Sequence, residues 1–256
     1  MGTPEAHQAD GPSAPVGAAL VVGAGDSTGG AIARRFAREG YAACVTRRTA
    51  DKLVPLLERI RAEGGTAHGY ASDARKESEI VALVERIERE VAPIEVAVFN
   101  IGANVRFGIR ETTARVFTKV WEMACFAGFL AGREAARVMA PRGRGSILFT
   151  GATASMRGRD GYAAFAAAKA GLRMLAQSLA RELGPEGIHV AHVVCDGSID
   201  GVFTRERHDE AQVEALLAQD LILKPEDIAQ SFVALHRQPR SAWSHEIDLR
   251  PWKEAW

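Results

Sequence analysis

Tyr162 and Lys169 stand seven residues apart in the segment GYAAFAAAKAGL. On a helix that spacing is two turns, so a phenol and an amine fall on nearly the same face and can address one site. A proton-bearing oxygen beside a cation is the equipment of general acid–base chemistry. A second set lies near the start, in Gly23-Ala24-Gly25-Asp26-Ser27-Thr28-Gly29-Gly30. Small residues there let a backbone approach a pyrophosphate, and free N–H groups opening a helix favour the anion. Glycines also serve plain strand-to-helix geometry, and the turn alone leaves both readings open. Thr150, Thr153 and Ser155 add hydroxyls that β-propensity and loop capping also explain. His7, His68, His208, His236 and His245 show no ligand spacing, His192 reads as a core histidine, and no metal site is expected.

These groups need elements to hold them, and the chain supplies an alternation. AALVVGAG is an apolar run ending in glycines, followed by the helical pattern STGGAIARRFAREG with Ile32 and Phe36 four apart. YAACVTRR, TAHGYASD, IEVAVFN, GSILFTG and HVAHVV read as further strands, with helices between them. A single long helix is expected over about 112–139, and another over 161–183. Strand and helix at this period imply an α/β, doubly wound parallel sheet covered on both faces. A chain of 256 residues suits one domain, read as 17–256, with 1–16 a disordered polar lead lacking the apolar core of a signal peptide.

Composition excludes several classes. Lysine plus arginine and aspartate plus glutamate are equal at 32, which argues against a general nucleic-acid binder. No apolar run approaches the ~20 residues that span a bilayer. Cys44, Cys125 and Cys195 are scattered and read as small buried hydrophobes of a reduced, cytoplasmic protein.

Taken in order, the motifs resemble the short-chain dehydrogenase/reductase family over about residues 18–240. Gly23 and Gly29 match the outer positions of its Gly-x-x-x-Gly-x-Gly turn, with Ser27 in place of the middle glycine. Asp73-Ala74 resembles the pair that contacts adenine, and Asn100 and Gly102 match its Asn-Asn-Ala-Gly. Gly197 matches the turn near the nicotinamide, with Ile199 just after it. The resemblance implies a Rossmann fold holding a dinucleotide on Gly23, Gly25, Ser27, Thr28, Gly29, Asp73, Ala74, Asn100, Gly102, Lys169, Gly197 and Ile199. NAD-selective relatives carry an acid after the second strand, where this chain has Arg47 and Arg48. Two guanidinium groups favour a 2′-phosphate, hence NADP, while Asp26 pulls toward NAD.

At the catalytic positions the chain departs from the family. The tyrosine four residues before Lys169 is Phe165, the serine falls on Ala152 and the asparagine near Cys125. The resemblance therefore implies an atypical member, with Tyr162 as the replacement hydroxyl at the Tyr-x6-Lys spacing of enoyl-thioester reductases. The expected function is hydride transfer to a conjugated C=C or an acyl or carbonyl substrate; the alternative is a dinucleotide-binding sensor or structural subunit with little redox catalysis. Residues 198–221 correspond to the substrate lid, where Phe203, Arg205, Arg207, His208 and the flanking Asp196 and Asp200 could meet a polar small molecule. Phe126, Phe129 and Leu130, and the tail tryptophans Trp252 and Trp256, point to a homodimer or homotetramer.

Overall fold

Seven parallel strands form one sheet in the order β3-β2-β1-β4-β5-β6-β7 in a computed structural model that describes residues 14–254. The strands are β1 Ala18–Val22, β2 Ala42–Arg47, β3 Ala67–Ala71, β4 Ile94–Phe99, β5 Gly145–Thr150, β6 Ile188–Cys195 and β7 Glu246–Leu249. β1 is buried along its whole length because both of its faces are covered, which is why its sequence is continuously apolar rather than alternating. β3 lies at one sheet edge and alternates buried with open positions.

One face is covered by α1 (Thr28–Arg38), α2 (Val54–Ala62) and α10 (Pro225–His236). Ile32, Phe36 and Phe232 are fully buried in that layer, each contributing roughly 1.5–3 kcal/mol of apolar burial. The opposite face carries α3 (Glu77–Glu90), α4 (Ala114–Trp121), α5 (Ala127–Met139) and α7 (Ala163–Leu183). The short α6 (Thr153–Met156) follows β5, and α8 (Val202–Arg205) and α9 (Glu210–Ala218) build the segment after β6. Chain order reverses between β1 and β4, leaving a crevice beyond their carboxyl ends.

Two expectations need adjustment. The long helix is interrupted by one π-helical turn at Glu122–Phe126, which inserts a residue and re-aims the side chains around Cys125. Most of the lead 1–16, and Trp256, lie outside the described residues; within them Val16 already bonds through its N–H to the Gly40 carbonyl at 3.0 Å. No helix among the described residues is long and apolar enough to cross a membrane.

Candidate active site

The carboxyl ends of β1 to β4 open into a cleft of about 260 Å³ lined by Gly23, Gly25, Arg47, Arg48, Asp73, Ala74, Asn100 and Gly102, together with Thr46, Ser72, Arg75, Ile101 and Met123. The glycine turn is tight at two points. Gly23 has φ +93°, and a Cβ on Gly29 would stand 2.4 Å from the Gly23 carbonyl oxygen. Asn100 closes the turn, its amide donating to that same oxygen at 3.1 Å. Gly25 and Gly102 meet no atom within 4 Å of where a side chain would begin, so bare backbone faces the cleft there. That is the surface a pyrophosphate and ribose require, and the residues present fit a dinucleotide.

Several polar groups on this rim are engaged with one another. Ser27 donates its hydroxyl to the Asp200 carbonyl at 2.7 Å, fastening the glycine turn to the segment after β6. Arg47 is held by Asp26 at 3.1 Å and by the Lys52 carbonyl at 3.0 Å, whereas the exposed Arg48 has no hydrogen bond or ion pair among the described residues. The Asp73 carboxylate is gripped by Arg75, at 2.9 and 2.5 Å, and that hydrogen bonding brings its pKa down to about 2. Thr28 and Gly29 are buried at the start of α1, and Ile199 pairs with Leu223; with Ser27 and Gly197, none of these lines the cleft. Sequence reasoning missed Ser72, Arg75 and Met123, although Ser72 and Arg75 flank the Asp73-Ala74 pair.

Around Lys169 the surroundings change character. Its ammonium donates to the carbonyls of Thr150 at 2.8 Å and Ile101 at 3.1 Å, which leaves one proton for a further acceptor. Burial lowers its pKa to about 8. The thiols of Cys125 and Cys195 lie within its electrostatic reach; burial raises both, Cys195 to about 12, so neither is a ready nucleophile. Phe165 is buried in an apolar cluster with Ala103, Val120, Ala124, Cys125, Ala164 and Ala168, and Ala152 and Tyr162 pack against it. Tyr162 caps α7, half-buried, and its hydroxyl has no hydrogen-bond partner among the described residues. Of the other candidate hydroxyls, Ser155 accepts from the Ala152 N–H at 3.1 Å and Thr153 donates to Asp196 at 2.7 Å, whereas the buried Thr150 hydroxyl has no hydrogen-bond partner among the described residues.

Asp196 is not a surface group at the mouth. It is 1 % exposed and binds Thr153, Arg157 at 3.0 and 3.1 Å, and Arg250. Asp200 pairs with Arg205, while Arg207 lies over the Phe203 ring at 3.2 Å from its centroid. His192 sits inside β6 as a core histidine, bonded to Glu246 at 2.9 Å, and burial brings its pKa down to about 4. Among the described residues no cluster of three His, Cys, Asp or Glu could hold a metal.

Comparison with known proteins gives the same architecture. The chain is 33 % identical over 198 residues to the 3-oxoacyl-(acyl-carrier-protein) reductase MabA of Mycobacterium avium, covering 77 % of this chain and 72 % of that one. A short-chain dehydrogenase structure from Rhodopseudomonas palustris is 46 % identical with a TM-score of 0.78, over 93 % of this chain and all of that one. A metagenomic short-chain oxidoreductase solved in complex with NADP is 26 % identical with a TM-score of 0.79, over 93 % and 98 %. The short chain dehydrogenase profile matches residues 17–212, and the chain belongs to that family.

Proposed function

We propose that this protein is an NADP(H)-binding oxidoreductase of atypical chemistry, acting on a small molecule with a conjugated C=C or an acyl or carbonyl group. The observation that carries the reading is the contrast between an intact dinucleotide cleft and the apolar cluster around Phe165. The glycine turn and Gly102 offer backbone to the pyrophosphate and ribose, Arg48 offers an unengaged guanidinium to a 2′-phosphate, and Lys169 has one N–H free for a ribose oxygen. When bound, the nicotinamide supplies or accepts a hydride. Tyr162 packs on the same cluster as Phe165 with an unengaged hydroxyl, and in this reading that hydroxyl hydrogen-bonds a substrate oxygen as charge develops there. The NADP-bound relative supports the cofactor, and NAD remains compatible with the Arg47–Asp26 pair.

The protein works in the cytoplasm as a homodimer or homotetramer in this reading. Its support is three buried cysteines without a disulfide among the described residues and an exposed aromatic row of Phe117, Trp121 and Phe129 on α4 and α5, while Leu130, expected on that face, is buried in the core. Trp252, 72 % exposed, extends that argument to the tail.

Fluorescence titration with NADPH and NADH, followed by turnover against enoyl thioesters, enones and ketones, tests the function. Tight NADPH binding with enone or enoyl turnover that depends on Tyr162 is the expected result. Tight binding with no turnover, unchanged in Tyr162→Phe, would instead support a dinucleotide-binding protein without redox catalysis, the reading that the lost hydroxyl at Phe165 favours.

A further inference from the structure

The free edge of the sheet carries a second concavity. Among the described residues β3 pairs only with β2, and the parallel register fixes which of its backbone groups are spent. The Thr66 carbonyl accepts from the Ala43 N–H at 2.9 Å, and the Ser72 N–H donates to the Arg47 carbonyl at 3.0 Å. Thr66, His68, Tyr70 and Ser72 therefore turn their N–H and C=O groups toward β2, and Ala67, Gly69 and Ala71 turn theirs outward. Arg61 of α2 marks that outward side, donating through Nη2 to the Ala67 carbonyl at 2.9 Å. Gly69 and Ala71 are exposed, and their outward groups have no partner among the described residues. Against them lies a groove of about 340 Å³, walled by Leu57 and Arg61 on the α2 side and by Tyr70, Arg86 and Glu90 on the α3 side. Glycine keeps it open, since a Cβ on Gly69 would stand 2.7 Å from Leu57 Cδ1. Charge there is unbalanced. Arg61 has no carboxylate partner among the described residues, while Arg86 and Arg89 share Glu90 at 2.7 and 2.8 Å. Two copies meeting edge to edge would bring both sets of arginines together, which like charge opposes. A strand bearing carboxylates meets the same edge with the opposite sign.

We propose that the β3 edge docks an extended, acidic segment of a partner protein as an added strand, its backbone pairing with Gly69 and Ala71 and its carboxylates meeting Arg61 and Arg86. Main-chain hydrogen bonds supply the affinity of such an addition, and the walls supply the selection. Successive side chains of the added strand point to opposite faces of the sheet. One set meets the α2 wall at Arg61 and the other the α3 wall at Arg86, so neighbouring acidic residues are both accommodated. The proposal stands apart from the NADP(H) reading above and holds or fails without it.

The experiment uses the full chain with a short acidic peptide, Val-Glu-Glu-Val-Glu-Glu-Val, its lysine counterpart, and the acidic peptide N-methylated on alternate amides. In the free protein, amide hydrogen exchange should be fast at Gly69 and Ala71 and slow at His68 and Tyr70. At saturation the acidic peptide should slow exchange at Gly69 and Ala71 about tenfold or more. By calorimetry it should bind about tenfold more tightly than the lysine peptide, and N-methylation should abolish binding. Ala71→Pro removes one outward N–H and spares the ladder to β2, so it should weaken the acidic peptide about tenfold. Arg61→Gln, whose amide can keep the bond to the Ala67 carbonyl, should weaken it about threefold. Melting temperature and circular dichroism confirm that each variant is folded. Equal binding of the acidic and lysine peptides, undiminished binding of the methylated one, or no binding up to about 1 mM overturns the proposal. So does a smaller oligomer of Ala71→Pro in sedimentation, which would make a second copy of this chain the occupant of the edge.

Discussion

On the rim of the cleft, Ser27, Arg47 and Asp73 depart from or complicate the family pattern, and each has a polar partner: the Asp200 carbonyl, Asp26 and Arg75. Around Lys169 the departures run the other way. Phe165, Ala152 and Cys125, which the resemblance sets where the family has polar groups, meet in one apolar cluster. The difference follows from where each region sits. On a half-exposed rim a new charge is screened by water and needs only a nearby counter-charge, so substitution costs little. In a closed pocket a hydroxyl without partners is costly, and Thr150 beside Lys169 is the one buried candidate hydroxyl there left unpartnered among the described residues. The nucleotide end has exchanged partners; the chemical end has changed medium.

The sharpest way to break this comparison is at the chemical end. If Tyr162 is the surviving proton donor, Tyr162→Phe should lower turnover of a responsive enone or enoyl substrate by about 10²–10⁴-fold with NADPH affinity unchanged. An equal fall in affinity would place the residue in packing rather than chemistry. At the nucleotide end, Gly29→Val drives a side chain onto the Gly23 carbonyl, where even a Cβ stands at 2.4 Å. NADPH affinity should drop about a hundredfold, equivalent to roughly 2.7 kcal/mol, as read by fluorescence titration.

A smaller effect concerns His192, whose ring lies against Gly151 at the chemical end and is kept neutral by burial, with a folded pKa of about 4 against an ordinary value of 6.5. The folded pKa is depressed, so as pH falls below 6.5 the unfolded chain takes up the proton first. Stability is full above that value and is lost between 6.5 and about 4. Urea unfolding at pH 7 and 4.5 should show a loss of about 2 kcal/mol that His192→Gln reduces. The smallest expected effect sharpens the rim. Arg48→Ala should weaken NADPH about tenfold relative to NADH, while Arg47→Ala, already engaged by Asp26, changes that ratio less than about threefold. Equal effects would mean that the Arg47–Asp26 pair opens to the phosphate.

Much of this was legible in the residues. Continuous apolar runs ending in glycine marked β1 and its turn because a doubly covered strand has no polar face to show. The seven-residue spacing put Tyr162 and Lys169 on one helix face, but the helix proper begins at Ala163 and Tyr162 stands before it as the N-cap with non-helical dihedrals. The break at Glu122–Phe126 was not legible, since a π-turn leaves the apolar period nearly intact over so short a span. Nor was the burial of Asp196. An aspartate in a Gly- and Ser-rich turn reads as a cap or a surface group, and only the convergence of Thr153, Arg157 and Arg250 from distant segments makes an interior place for it. Ser72 and Arg75 escaped for the same reason: pairing within two residues of Asp73 is local, but its orientation toward a cleft is tertiary.

The bond from Ser27 to the Asp200 carbonyl has a consequence in time rather than in affinity. A Cβ on Gly201 would lie 2.9 Å from the Ser27 hydroxyl, so the two segments touch with no room to spare. Arg205 braces Asp200 and Thr204 bonds the Ile199 carbonyl at 2.6 Å, making the strap one unit with the glycine turn. If a dinucleotide must open this contact to enter and leave, the closure governs both rates alike. Dwell time therefore responds to Ser27 more than equilibrium does: in stopped-flow measurements Ser27→Ala should speed association and release together, leaving their ratio nearly where it was.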